Sequence, residues 1–103
     1  MNTKTLKALK QSIAHWKRLA TGKREDYEDI GIHDCALCQI FFEDGCDGCP
    51  VMKKTGEQSC KRTPYTEAAE AEDEFSLDST EFHAEAKRML EFLKSLLPRK
   101  RKL

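Results

Sequence analysis

The chain has 103 residues, of which 35% are charged, and its 18 basic and 18 acidic residues give a net charge of zero. This length suits one domain, so we expect residues 1–103 to form a single domain. No run approaches the roughly 18 apolar residues that cross a bilayer, and the start lacks the apolar core of a signal peptide. We therefore expect no membrane partner and a cytoplasmic location, where thiols stay reduced.

The apolar residues predict two long amphipathic helices, one at each end of the chain. Residues 3–21 repeat apolar side chains three and four positions apart, and Gly22 is a suitable C-cap. The C-terminal helix occupies segment 78–97, which opens with a run that resembles a capping box, and Pro98 ends it. We expect the two stripes to pack against each other. Their members are Leu6, Leu9, Ile13, Trp16, Leu19 and Ala20, and Phe82, Ala86, Met89, Leu90, Leu93, Leu96 and Leu97.

Three segments of different composition lie between these helices. An irregular acidic connection, 23–33, leads into a cysteine-rich core, 34–65. Within the acidic connector 66–77, residues 66–74 have helical propensity but only alanines to bury, which predicts an exposed helix or a mobile segment. Residues 98–103 form a basic tail. The expected fold class is mainly α, a small metal-stabilised domain with short helices around a cysteine-rich hub.

Five cysteines are spaced C-x2-C-x7-C-x2-C-x10-C. We expect Asp34 to cap a short helix that carries the first pair, and Cys46-Asp-Gly-Cys49 to form a tight turn before a second short helix, which Pro50 begins and Gly56 ends. Two such pairs can converge on one tetrahedral zinc ion, and helix N-termini stabilise thiolates. The pattern therefore predicts Zn²⁺ bound by four of the five cysteines, which are Cys35, Cys38, Cys46, Cys49 and Cys60.

Several alternatives stay open at this point. Cys60 can replace Cys46 as the fourth ligand, and His33 adjoins the first pair, although a lone histidine beside a cysteine is more often a surface residue. An iron–sulfur cluster, a redox dithiol and a set of structural thiols compete with zinc. We expect His15 and His83 to be exposed or partly packed on their helices.

The run Cys-Ala-Leu-Cys-Gln-x-Phe, then Cys-x-Gly-Cys-Pro-Val, Thr55-Gly56, Cys60 and Thr63-Pro64-Tyr65 resembles a family of small uncharacterised proteins found mainly in bacteriophage genomes. His15-Trp16 fits the same pattern, so the resemblance covers residues 15–65. It implies a phage accessory protein in which all five cysteines belong to the signature. No activity follows from the resemblance.

The sequence contains no phosphate-binding glycine loop, nucleophile elbow or His-Glu-x-x-His motif. Because an all-cysteine zinc site is typical of structural metal, we expect no enzymatic activity. The leading hypothesis is a zinc-stabilised binding module that contacts a host or phage protein, as a monomer or as a homodimer through the C-terminal helix. The alternatives are an iron–sulfur or redox-sensing protein and a nucleic-acid-binding protein that uses its basic ends, with Arg99, Lys100, Arg101 and Lys102 on phosphate.

Overall fold

The computed structural model describes residues 2–31, 34–57, 60 and 63–98. Within these ranges five α-helices follow one another and no strand is present, which confirms the mainly helical class. A short 3₁₀ turn, Phe42–Asp44, extends the second helix. The helices are α1 (Thr3–Thr21), α2 (Ala36–Phe41), α3 (Pro50–Thr55), α4 (Tyr65–Glu74) and α5 (Thr80–Lys94).

The two terminal helices pack along each other, as their apolar stripes predict. Leu9, Leu19 and Phe82 are fully buried between them. Trp16 of α1 stacks on Phe82 of α5, with ring centroids 6.4 Å apart. Tyr65 meets the edge of the same indole at 6.1 Å. One aromatic cluster therefore joins α1, α4 and α5.

The buried face of α1 is turned relative to the predicted stripe. Leu6 and Ile13 are only half-buried, whereas Ser12 and His15 are buried. The expectation that His15 is exposed or partly packed is therefore wrong. The reason is that α1 packs against α2 as well as α5, so one side of it faces the cysteine-rich segment rather than the apolar core.

The acidic connector contains a regular helix with a buried side, α4. Ala68 is fully buried, Ala71 is 8% exposed, and α4 packs against α5. Alanines suffice for this contact because their short side chains allow two helix backbones to approach closely. Ala68 and Ala71 therefore belong to the core, and most acidic side chains of α4 are exposed.

The helix ends differ slightly from their predicted positions. Cys35, not Asp34, is the N-cap of α2, since its sulfur accepts a hydrogen bond from the Cys38 N–H. Ser79 caps α5 through the N–H of Phe82. The helix ends at Lys94 rather than near residue 97. Gly22 and Gly56 end α1 and α3 as predicted.

The α5 stripe from Phe82 to Leu93 is buried within this chain, against α1 and α4. The homodimer through this helix stays a prediction. In the described residues, no helix combines the length and apolar character needed to cross a membrane.

Candidate metal centre

All five cysteines line a single cavity of about 190 Å³. All five are free thiols, and Cys46 and Cys49 are buried while the other three are half-buried. Helices α2 and α3, the turn between them and the residue at position 60 bring these sulfurs to one place. The cysteines therefore lie around one shared cavity, as their spacing in the sequence predicts.

The first pair lies at the start of α2. Cys35 has an extended backbone, and its Sγ accepts the Cys38 N–H at 3.3 Å. The Gln39 N–H bonds to the Cys35 carbonyl at 3.0 Å and begins the helical hydrogen-bond pattern. The two thiols thus share the first turn, where the helix dipole favours a thiolate.

The second pair is shaped by a tight turn. The Cys49 N–H bonds to the Cys46 carbonyl at 3.0 Å, and the Cys46 N–H bonds to the Phe41 carbonyl at 2.9 Å. Gly48 has φ +88°, and a Cβ there would lie 3.3 Å from Cε1 of Phe41. This position therefore favours glycine for both its backbone angle and its close approach to the ring. Cys49 is the N-cap of α3.

Two of the cysteines have unusual backbone angles. Cys46 has φ 65° and Cys60 has φ 60°, both in the left-handed region. For a residue with a side chain this conformation costs roughly 1–2 kcal/mol. Backbone strain of this kind is concentrated at ligand-binding sites.

The thiols differ in how readily they ionise. The Cys38 thiol donates to the Cys35 sulfur, which lowers the pKa of Cys35 and raises that of Cys38. Burial raises the pKa of Cys49, although hydrogen bonds from the backbone N–H groups of Val51 and Met52 partly offset this rise. Burial also raises the pKa of Cys60, to about 12. Cys35 is therefore the most readily formed thiolate of these four.

A buried polar network lies beside the cavity and was not predicted from the sequence. Glu28 is 3% exposed and His15 is 5% exposed. The His15 Nδ1 lies 2.5 Å from Oε2 of Glu28. Arg18 donates to both Glu28 oxygens, at 2.7 and 2.8 Å. The Glu25 N–H adds a fourth contact at 2.9 Å. The His15 ring also lines the cavity that the cysteines line.

We expect replacement of Glu28 by Gln to destabilise the protein in a pH-dependent way. Its hydrogen bond from Arg18 holds the pKa of Glu28 near 2, below its ordinary value of 4.5. The carboxylate therefore contributes stability above about pH 4.5, and this contribution is lost as the pH falls towards 2. Chemical denaturation with a metal chelator present should show a difference of about 2–3 kcal/mol at pH 7. The difference should shrink at low pH, and one that is the same at pH 3 and pH 7 would contradict this account.

Two predicted features fall outside the described residues. One is His33, the possible ligand beside the first pair. The other is the basic run Arg99–Lys102, so that the nucleic-acid interface stays a prediction. Among the described side chains, no three or more histidines, cysteines or carboxylates already stand in an arrangement that could hold a metal ion.

Comparisons with protein-family models, with curated proteins and with solved structures found no significant match. The resemblance to the phage proteins therefore stays a prediction.

Proposed function

We propose that this protein is a small binding module whose helices are held together by a zinc ion bound to cysteine thiolates, and that it acts by contacting another protein. The single observation that carries the proposal is the shared cavity lined by all five free cysteines. Cys35, Cys38 and Cys49 are the proposed thiolate ligands. Cys46 and Cys60 also line the cavity, and either can complete a four-coordinate site.

The local backbone supports thiolate binding. Cys35 and Cys49 are the N-cap residues of α2 and α3. The Cys35 sulfur accepts the Cys38 N–H, and the N–H groups of Val51 and Met52 favour a thiolate at Cys49. A metal ion would remove the energetic cost of placing several ionised thiols together, because its charge offsets their repulsion. The cysteine sulfurs surround a cavity, so binding of zinc would draw them towards the ion. Because these sulfurs come from different segments of the chain, metal binding and folding are then coupled.

The proposed role in protein contact is supported by exposed aromatic side chains. Phe75 is 51% exposed beyond the end of α4, and Phe42 is 41% exposed beside the cavity. Aromatic residues are enriched at the centres of protein interfaces. A photo-crosslinking residue at position 75 should give one specific protein adduct, whereas the same residue at the exposed position Lys10 should not. Equal labelling from both positions would contradict a role for this surface.

The metal requirement predicts a large effect of chelation on stability. Removing zinc from the purified protein should lower its melting temperature by roughly 15 °C or more, because a domain of this size shifts by about 4–8 °C per kcal/mol. Circular dichroism at 222 nm can follow the transition. The matched control is the same chelator saturated with zinc beforehand, which should cause no shift. Identical melting curves with free and saturated chelator would contradict the proposal.

A further inference from the structure

The His15–Glu28 pair combines three properties that a buried structural ion pair does not need. The histidine lines the thiol cavity, its Nδ1 is tied to a carboxylate, and that carboxylate is itself fixed by Arg18. Metal-binding histidines almost always donate their other ring N–H to a carboxylate, a backbone carbonyl or a water, which orients the ring and increases the basicity of the nitrogen that binds the metal. We infer that His15 Nε2 is the fourth zinc ligand, beside Cys35, Cys38 and Cys49. This inference rests on the zinc centre proposed above.

The hydrogen-bond partners of Glu28 favour this role. Arg18 contacts both oxygens of Glu28 through Nε and Nη2, which keeps the carboxylate ionised and able only to accept hydrogen bonds. A carboxylate that can only accept needs an N–H opposite it, so Nδ1 of His15 is the donor to Oε2 of Glu28. In the neutral ring this leaves the lone pair on Nε2, which is the nitrogen that binds zinc.

Charge also favours histidine over a fourth thiolate. A zinc ion with four thiolates has a net charge of −2, whereas three thiolates and one neutral histidine give −1. The cavity wall includes Leu37, Val51, Met89 and Leu93, and the ionised Glu28 lies directly behind His15. Desolvating the less charged centre beside that carboxylate costs less.

X-ray absorption at the zinc edge of the wild-type protein tests the inference directly. Three sulfurs at about 2.3 Å and one nitrogen at about 2.0 Å are expected. Zinc with four sulfurs would overturn the ligand assignment and leave the thiolate zinc centre intact. A folded chain that binds no zinc would overturn both.

Substitution at His15 separates a ligand from a merely structural residue. His15→Asn keeps an amide nitrogen near the Nδ1 position, which can still donate to Glu28, but it has no group at Nε2. We expect its zinc affinity to fall by more than the 10–100-fold that loss of an outer-shell partner costs. His83→Asn is the matched control and should bind zinc like the wild type. Wild-type affinity in His15→Asn would overturn the inference.

Substitution of the two cysteines that are not ligands in this scheme is the complementary test. Cys46→Ser and Cys60→Ser should each keep one zinc per chain with affinity within about threefold of the wild type, since neither sulfur is a ligand in this scheme. Loss of zinc from either variant would overturn the inference. Should His15→Asn fail to fold, these two variants and the wild-type absorption spectrum still decide it.

Discussion

Replacing Cys38 by Ser is expected to abolish stoichiometric zinc binding and to lower the free energy of unfolding of the protein strongly. Cys38 lies on the first turn of α2, donates a hydrogen bond to the Cys35 sulfur and lines the cavity with the other thiols. Structural zinc contributes roughly 10–16 kcal/mol of apparent binding free energy, which in coupled systems is folding free energy. Whole small domains have only about 5–15 kcal/mol of stability, so the ion supplies a large share of the total. Metal analysis together with urea denaturation measures both effects.

The control for this substitution is the metal-free state. With excess chelator, Cys38→Ser and the wild type should have free energies of unfolding within about 1 kcal/mol, because serine is close in size to cysteine. The large difference should appear only when zinc is present. A variant that is equally destabilised with and without zinc would show that Cys38 acts through packing alone.

Replacing Phe82 by Ala is expected to be the most damaging change in the apolar core. Phe82 is fully buried and stacks on Trp16 between α1 and α5. Truncating a buried phenylalanine costs about 3–5 kcal/mol, through lost apolar contact and the cavity left behind. The metal centre lies on the side of α1 that faces α2, so this change should also weaken zinc binding by loosening α1.

A second phenylalanine offers a matched comparison for the core substitution. Phe75 is 51% exposed, so Phe75→Ala should change the free energy of unfolding by less than about 1 kcal/mol. Thermal unfolding of the zinc-loaded proteins compares the two variants. A similar loss of stability in both variants would mean that the aromatic cluster around Trp16 does not hold α1 and α5 together.

Residues with a strong local signal were predicted well from the sequence. The α1 and α5 stripes have helical periodicity, and Gly22, Pro50 and Gly56 mark helix ends by their own backbone preferences. These effects act within one or two turns of helix. The bounds of α1 and the pairing of the terminal helices follow from them without knowledge of the rest of the fold, whereas α5 ends before its predicted end.

What the sequence could not predict depends on contacts between distant segments. His15 and Glu28 are 13 positions apart, and Glu28 lies in a connection without periodicity, so no local pattern joins them. The burial of Ala68 likewise depends on how closely α4 approaches α5. One local signal for the network did exist, since Arg18 and His15 lie three positions apart on the same helix face. The sharing of one cavity by five cysteines was predictable in outline, because their spacing is short.

Native mass spectrometry combined with elemental analysis, on protein purified without chelator, is the most direct test of the zinc centre. We predict one zinc ion per chain, lost on denaturation in acid. A folded chain with no bound metal and five titratable thiols would contradict the account.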